Sequence, residues 1–101
     1  MPKIFEYLGF IFFFYSNDHD PIHVHVKKGS IEVKVDFFFE KNALTNVSIR
    51  KSNGSKQNLT PAEREKIRKF AEKYHKEISE EWNNFRAGKK VKCKKINKEI
   101  K

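Results

Sequence analysis

The sequence predicts an α+β domain: a mostly antiparallel sheet of about five strands, one long C-terminal helix packed on one face of it, and a basic tail. Three observations predict it. Apolar and polar residues alternate from residue 22 to about residue 49, the period of half-buried strands. From Pro61 to about Arg86 apolar residues recur at three- and four-residue steps, the period of a helix. Lysine dominates the residues beyond Gly88. At 101 residues the chain is the size of one domain with one core, read as residues 1–88 with residues 89–101 as the tail.

Leu and Ile are modest in number, but ten Phe, three Tyr and one Trp supply apolar bulk, so the core should be built from rings. A short strand is expected near Ile4 to Tyr7. Gly9 follows it, and then the run Phe10 to Tyr15, apolar throughout, reads as a central or doubly covered strand. One helix covers only one sheet face, so some of these rings, and Phe38 with them, should stay accessible and mark a contact surface for a partner or a second copy.

Ile22, Val24 and Val26 alternate with His23, His25 and Lys27. A turn at Lys28-Gly29 would place Val26 opposite Ile31, Val24 opposite Val33 and Ile22 opposite Val35. Downstream, a loop of Glu40, Lys41 and Asn42 would pair Phe39 with Ala43, Phe37 with Thr45, Val35 with Val47 and Val33 with Ile49, with Asn42 in the left-handed region. After the polar segment SNGSKQN, Thr60-Pro61-Ala62-Glu63 is a capping box with proline at the first helical position. Ile67, Phe70, Ala71, Tyr74, Ile78, Trp82 and Phe85 then form one stripe, and Gly88 is the stop. In the tail, Val91, Cys93 and Ile96 are too sparse for a core, although Val91 and Cys93, two apart, could belong to a short edge strand.

The formal net charge is +9, and eight Lys/Arg against one Glu from Arg86 onward carry most of it. Such a tail either binds nucleic acid or an acidic partner, or is plain solvated surface. The single cysteine, Cys93, cannot form an internal disulfide, which fits a reducing, cytoplasmic setting. Glu6 interrupts the N-terminal apolar stretch, Asn-Asp-His stands where a signal cleavage site would be, and the run Leu8 to Tyr15 is too short to span a membrane.

The segment NDHDPIHVHV, from Asn17 to Val26, holds three of the four histidines. His23 and His25 lie two apart on one strand and project from one face, with Lys34 and Glu32 expected directly across. Two imidazoles on one strand can ligate a divalent metal, with His19, Asp18 or Asp20 as third ligand. Without a metal, His23 or His25 can act as general acid or base, with His19 a further catalytic candidate, Asp18 or Glu32 orienting a histidine, and Lys27 and Lys34 meeting a phosphate. Lys89, Lys90, Lys92, Lys94 and Lys95 would extend nucleic-acid contact into the tail. The bland alternative is equally physical: Asn, Asp and Pro make ordinary turns, and histidines on a polar face need no function.

At these residues the chain resembles a family of short bacterial proteins known only as a domain of unknown function. The matching features are MPKI, Gly9, YSNDHDPIHVHV from Tyr15 to Val26, and EISEEW ending at Trp82. Many relatives have a second proline where this chain has Ile22, and an acidic or neutral end where this one is lysine-rich. The resemblance implies a toxin or toxin-like component encoded beside a small antitoxin-like partner protein, with no established reaction. Two function classes remain. One is an enzyme acting on nucleic acid by histidine chemistry; the other is a non-catalytic module binding protein or nucleic acid through the same face and tail.

Overall fold

The computed structural model describes residues 3–15, 22–51 and 59–100. Its elements are β1 (Lys3–Tyr7), β2 (Phe10–Phe13), β3 (His23–Lys28), β4 (Ile31–Glu40), β5 (Ala43–Lys51), α1 (Pro61–Lys73), α2 (His75–Arg86) and β6 (Lys94–Ile96). They form one six-stranded sheet in the order β5-β4-β3-β2-β1-β6. Neighbours are antiparallel except β1 and β6, which run parallel. The α+β class stands, but the expected five strands and single long helix are replaced by a six-stranded mixed sheet and two shorter helices.

The helix divides at Tyr74, whose backbone (φ −103°, ψ 17°) leaves the helical region. The apolar stripe runs straight through this point and gives no warning of it. The physical cause lies on the polar side. The Glu72 carbonyl, which an uninterrupted helix offers to the Lys76 amide, accepts instead a 2.6 Å hydrogen bond from Nδ1 of His75. A side chain inserted into the backbone ladder is a standard cause of a helix break. The start of α1 is as expected: the Thr60 hydroxyl accepts from the Glu63 amide, and the Glu63 carboxylate accepts from the Thr60 amide.

Both hairpin registers also differ from expectation. Val24 faces Val35 and Val26 faces Val33, with His23 opposite Asp36 and His25 opposite Lys34, two residues from the expected pairing. A shift of two leaves every side chain on its own face, so the apolar pattern cannot distinguish the two registers. The turn does: it is Gly29-Ser30, with Gly29 at φ 59° as the first central residue of a two-residue loop requires. At the next hairpin both Lys41 (φ 52°) and Asn42 (φ 68°) are left-handed, making a two-residue turn that pairs Glu40 with Ala43. A bulge between Phe38 and Phe39 then sets Phe37 opposite Val47 and Val35 opposite Ile49.

The core lies between the sheet and the helices and is made of rings. Phe70 stands at its centre, edge-on to Phe5 (5.2 Å between centroids), stacked on Tyr7 (4.5 Å), and against Phe12 and Tyr74 (4.6 Å each). Phe10, Phe12, Phe13 and Phe14 are all buried, so the run expected to leave rings accessible does not; among the rings named for a contact surface, only Phe38 is exposed, at 46%. The tail is engaged in the fold. β6 lies along β1, Val91, Ile96 and Ile100 pack against the core, and the Ile100 amide donates to the Tyr7 hydroxyl. The tail strand is thus Lys94–Ile96, just beyond the Val91–Cys93 pair that hinted at it. No helix among the described residues is long and apolar enough to cross a membrane.

Candidate functional site

The helices cover the face bearing Val24, Val26, Val33 and Val35. The opposite face takes the alternate residues, and the strand pairing sets them in rows. Lys3, Phe13, His25, Lys34 and Arg50 are successive neighbours across β1 to β5. A second row runs Lys95, Glu6, Ile11, Lys27, Glu32, and a third holds His23, Asp36 and Ser48. Period-two alternation sets these side chains on one face, except at Lys3, which a register shift between Lys3 and Phe5 brings beside Phe13.

His25 stands at the middle of this face. Its ring stacks on Phe13 (5.6 Å), meets Tyr15 edge-on (4.4 Å) and meets His23 edge-on (5.2 Å). Glu32 lies diagonally from it, with one carboxylate oxygen 3.8 Å from Nδ1. That is ion-pair range for an imidazolium and longer than a hydrogen bond. The Tyr15 hydroxyl, 2.9 Å from both Glu32 oxygens, donates to the carboxylate and fixes its position. Tyr15, Glu32 and His25 therefore form a connected group. His23, behind it, packs against Trp82 of α2 at 5.2 Å. The two histidines are buried, His23 at 6% and His25 at 9% exposure, where an exposed polar face was expected. Tyr15 and Trp82 supply part of that cover, and neither is on the strand that carries the histidines.

Next to this group, Asp36 is buried at 4% exposure and accepts a 2.7 Å hydrogen bond from Nε of Arg50, while Lys34 Nζ lies 3.9 Å from its other oxygen. Burying a carboxylate is costly unless it is paired and hydrogen-bonded in this way.

Six of the expected site residues, His23, His25, Glu32, Lys27, Lys34 and Lys95, share the open face, with Lys34 rather than Glu32 directly across from His25. Asp18, His19 and Asp20 lie outside the described residues. Among the described residues, no group of three or more His, Cys, Asp or Glu is placed to hold a metal ion. In the tail, Lys95 joins the open face beside Glu6 and Lys94 the helix-covered face beside Phe5, whereas Lys89, Lys90 and Lys92 belong to the connection between α2 and β6. Tyr15, Phe13, Asp36, Arg50 and Trp82 were not anticipated as neighbours of the site. For Asp36 and Arg50 a signal existed, since both fall on the polar phase of their strands.

The family described as Domain of unknown function (DUF4160) matches residues 9–83. The chain belongs to that family. The DUF4160 span begins at Gly9 and ends just past Trp82, so it holds Tyr15, His23, His25, Glu32, Lys34, Asp36 and Arg50 and leaves β1 and β6 outside. The DUF4160 match thus covers the open-face cluster and most of the core beneath it. No curated protein and no solved structure matches the chain.

Proposed function

We propose that this protein is a toxin-like component of a two-protein bacterial module, and that it acts on nucleic acid by acid–base chemistry at His25. The observation that carries the reading is the Tyr15–Glu32–His25 group: a carboxylate held by a tyrosine hydroxyl at 2.9 Å and set 3.8 Å from an imidazole nitrogen. In this reading His25 takes a proton from the hydroxyl or water that attacks a phosphodiester and returns it to the leaving oxygen. Glu32 supplies the negative charge opposite the imidazolium formed in between, and Lys27 and Lys34 meet the phosphate. The two-protein context rests on the resemblance of the Tyr15 to Val26 segment.

The test is cleavage of RNA and DNA, single- and double-stranded, by purified protein. His25→Ala should lower the rate by roughly 10²- to 10⁴-fold, the span of a lost acid–base group. Glu32→Gln, which keeps the hydrogen bond to Tyr15 and removes the charge, should lower it less. Absence of cleavage on every substrate, or activity that survives His25→Ala in a folded protein, would overturn the reading.

The burial of both histidines favours a second reading, in which they are members of an aromatic cluster on a non-catalytic binding module. Its mark would be a His25→Ala protein that loses thermal stability and has no activity to lose, while co-purification with the neighbouring gene product is retained.

A further inference from the structure

We propose that Lys34 and Arg50, held by Asp36 on the open face, form an anion-binding site for the phosphates of a single nucleic-acid strand, with Asp36 as the positioning residue. The inference rests on the reading of that face as the working surface and names what it binds.

The geometry has three parts. First, His25, Lys34 and Arg50 are consecutive neighbours across β3, β4 and β5, at a strand spacing of about 5 Å, so the two cations lie beside the imidazole on one side. Second, Asp36 engages Arg50 through Nε at 2.7 Å, and this leaves the two Nη groups of a side chain that is 60% exposed to donate outward. An arginine fixed by one edge loses less freedom when its other edge takes a phosphate, and a planar guanidinium suits two phosphate oxygens at once. Third, the charges do not cancel. The face carries Lys3, Lys27, Lys34, Arg50 and Lys95 against Asp36, Glu6 and Glu32, so cations remain in excess. Cations on β1, β3, β4, β5 and β6 suit a ligand with several phosphates better than one with a single phosphate.

Plain attraction and positioning make opposite demands on Asp36. If only net charge mattered, Asp36→Asn would add a positive charge to the face and tighten binding. If Asp36 aims Arg50 and Lys34, the same change weakens binding although the face becomes more positive.

The experiment measures binding of a labelled single-stranded oligonucleotide by fluorescence anisotropy across a salt series, with inorganic phosphate titrated separately and folding of each variant checked by its melting curve. Lys34→Gln and Arg50→Gln should each weaken oligonucleotide binding roughly three- to tenfold and flatten the salt slope by about 1. Arg50→Gln keeps an amide donor for Asp36. Asp36→Asn should weaken binding as well. Tighter binding by folded Asp36→Asn, unchanged binding by the Lys34 and Arg50 variants, or binding of inorganic phosphate with none of the oligonucleotide would each overturn the proposal. Should Asp36→Asn fail to fold, the Lys34 and Arg50 variants decide alone. Because binding is read without turnover, a protein that cleaves nothing and still gives this pattern keeps the anion site and loses only the acid–base reading.

Discussion

The backbone amide of Ile100 donates to the hydroxyl of Tyr7 at 3.0 Å, a bond that joins the last strand's exit to the first strand of the sheet. Tyr7 is buried, so its hydroxyl depends on a protein partner, and β6 covers an edge of β1 that would otherwise lie open. Tyr7→Phe should cost about 1 kcal/mol, or roughly 4–8 °C in Tm for a domain of this size. Deletion of residues 89–101 should cost more, because it also strips Val91, Ile96 and Ile100 from the core. Calorimetry on the two variants checks this. A deletion that melts at the wild-type temperature would mean the tail contributes nothing to the fold.

The start of α1 carries a pH dependence. Lys28 donates to the Glu63 carboxylate at 2.8 Å and the Thr60 amide donates at 2.9 Å, and chiefly through the lysine these hold the Glu63 carboxyl at about 2 against an ordinary 4.5. A carboxyl depressed in the folded state adds stability above its unfolded value, and that contribution fades as pH falls from about 4.5 towards 2. Solvent screening keeps the effect small. Melting temperatures of wild type and Glu63→Gln should therefore differ by a constant amount near neutral pH and converge across that acid window. Curves that stay parallel down to pH 2 would contradict the assignment.

The sheet's faces were legible in the sequence and its registers were not. Alternation at Ile22 to Lys27 and at Ile31 to Phe37 sorts every side chain to a face, but pairings two residues apart satisfy the same apolar contacts. The turn at Gly29-Ser30 makes the choice in the first hairpin, and the turn at Lys41-Asn42 together with the bulge between Phe38 and Phe39 makes it in the second. In the helix the apolar stripe from Ile67 to Phe85 hid a break caused by His75 capturing the Glu72 carbonyl, an event on the polar side that hydrophobic periodicity does not record. β6 needs the edge of β1 to form, a tertiary condition that three residues cannot announce. At the site, the shared face of His23, His25, Lys27 and Lys34 follows from period two. Their neighbours Tyr15 and Trp82 come from other parts of the chain, so the burial of the histidines had no local signal.

Trp82 links the site to the core: its ring stands edge-on to Phe14 at 5.3 Å, 5.2 Å from His23, with the Arg86 guanidinium 5.8 Å from its centroid. Trp82→Ala should cost about 3–5 kcal/mol, the range for removing a large buried ring. Trp82→Phe should recover most of that while leaving a gap beside His23. Chemical denaturation with both variants gives the comparison, and equal midpoints for Trp82→Ala and wild type would show that the ring is not part of the packed core.

Arg68 guards an edge of the sheet. Nη1 of this α1 residue donates to the Val47 carbonyl at 3.0 Å, and Val47 lies on β5, the outermost strand on that side. An edge strand nine residues long offers unpaired backbone groups to any other strand, and such edges are commonly blunted by a charged side chain. Arg68 does this in the middle of β5, where a strand from a second copy would otherwise pair. Arg68→Ala should therefore cost about 1 kcal/mol of stability and, more distinctively, raise self-association as protein concentration increases. Arg68→Lys, which keeps the charge but has no planar fork, should fall between the two. Light scattering over a concentration series separates these outcomes. An alanine variant as monomeric as wild type would show that the β5 edge is protected by something other than Arg68.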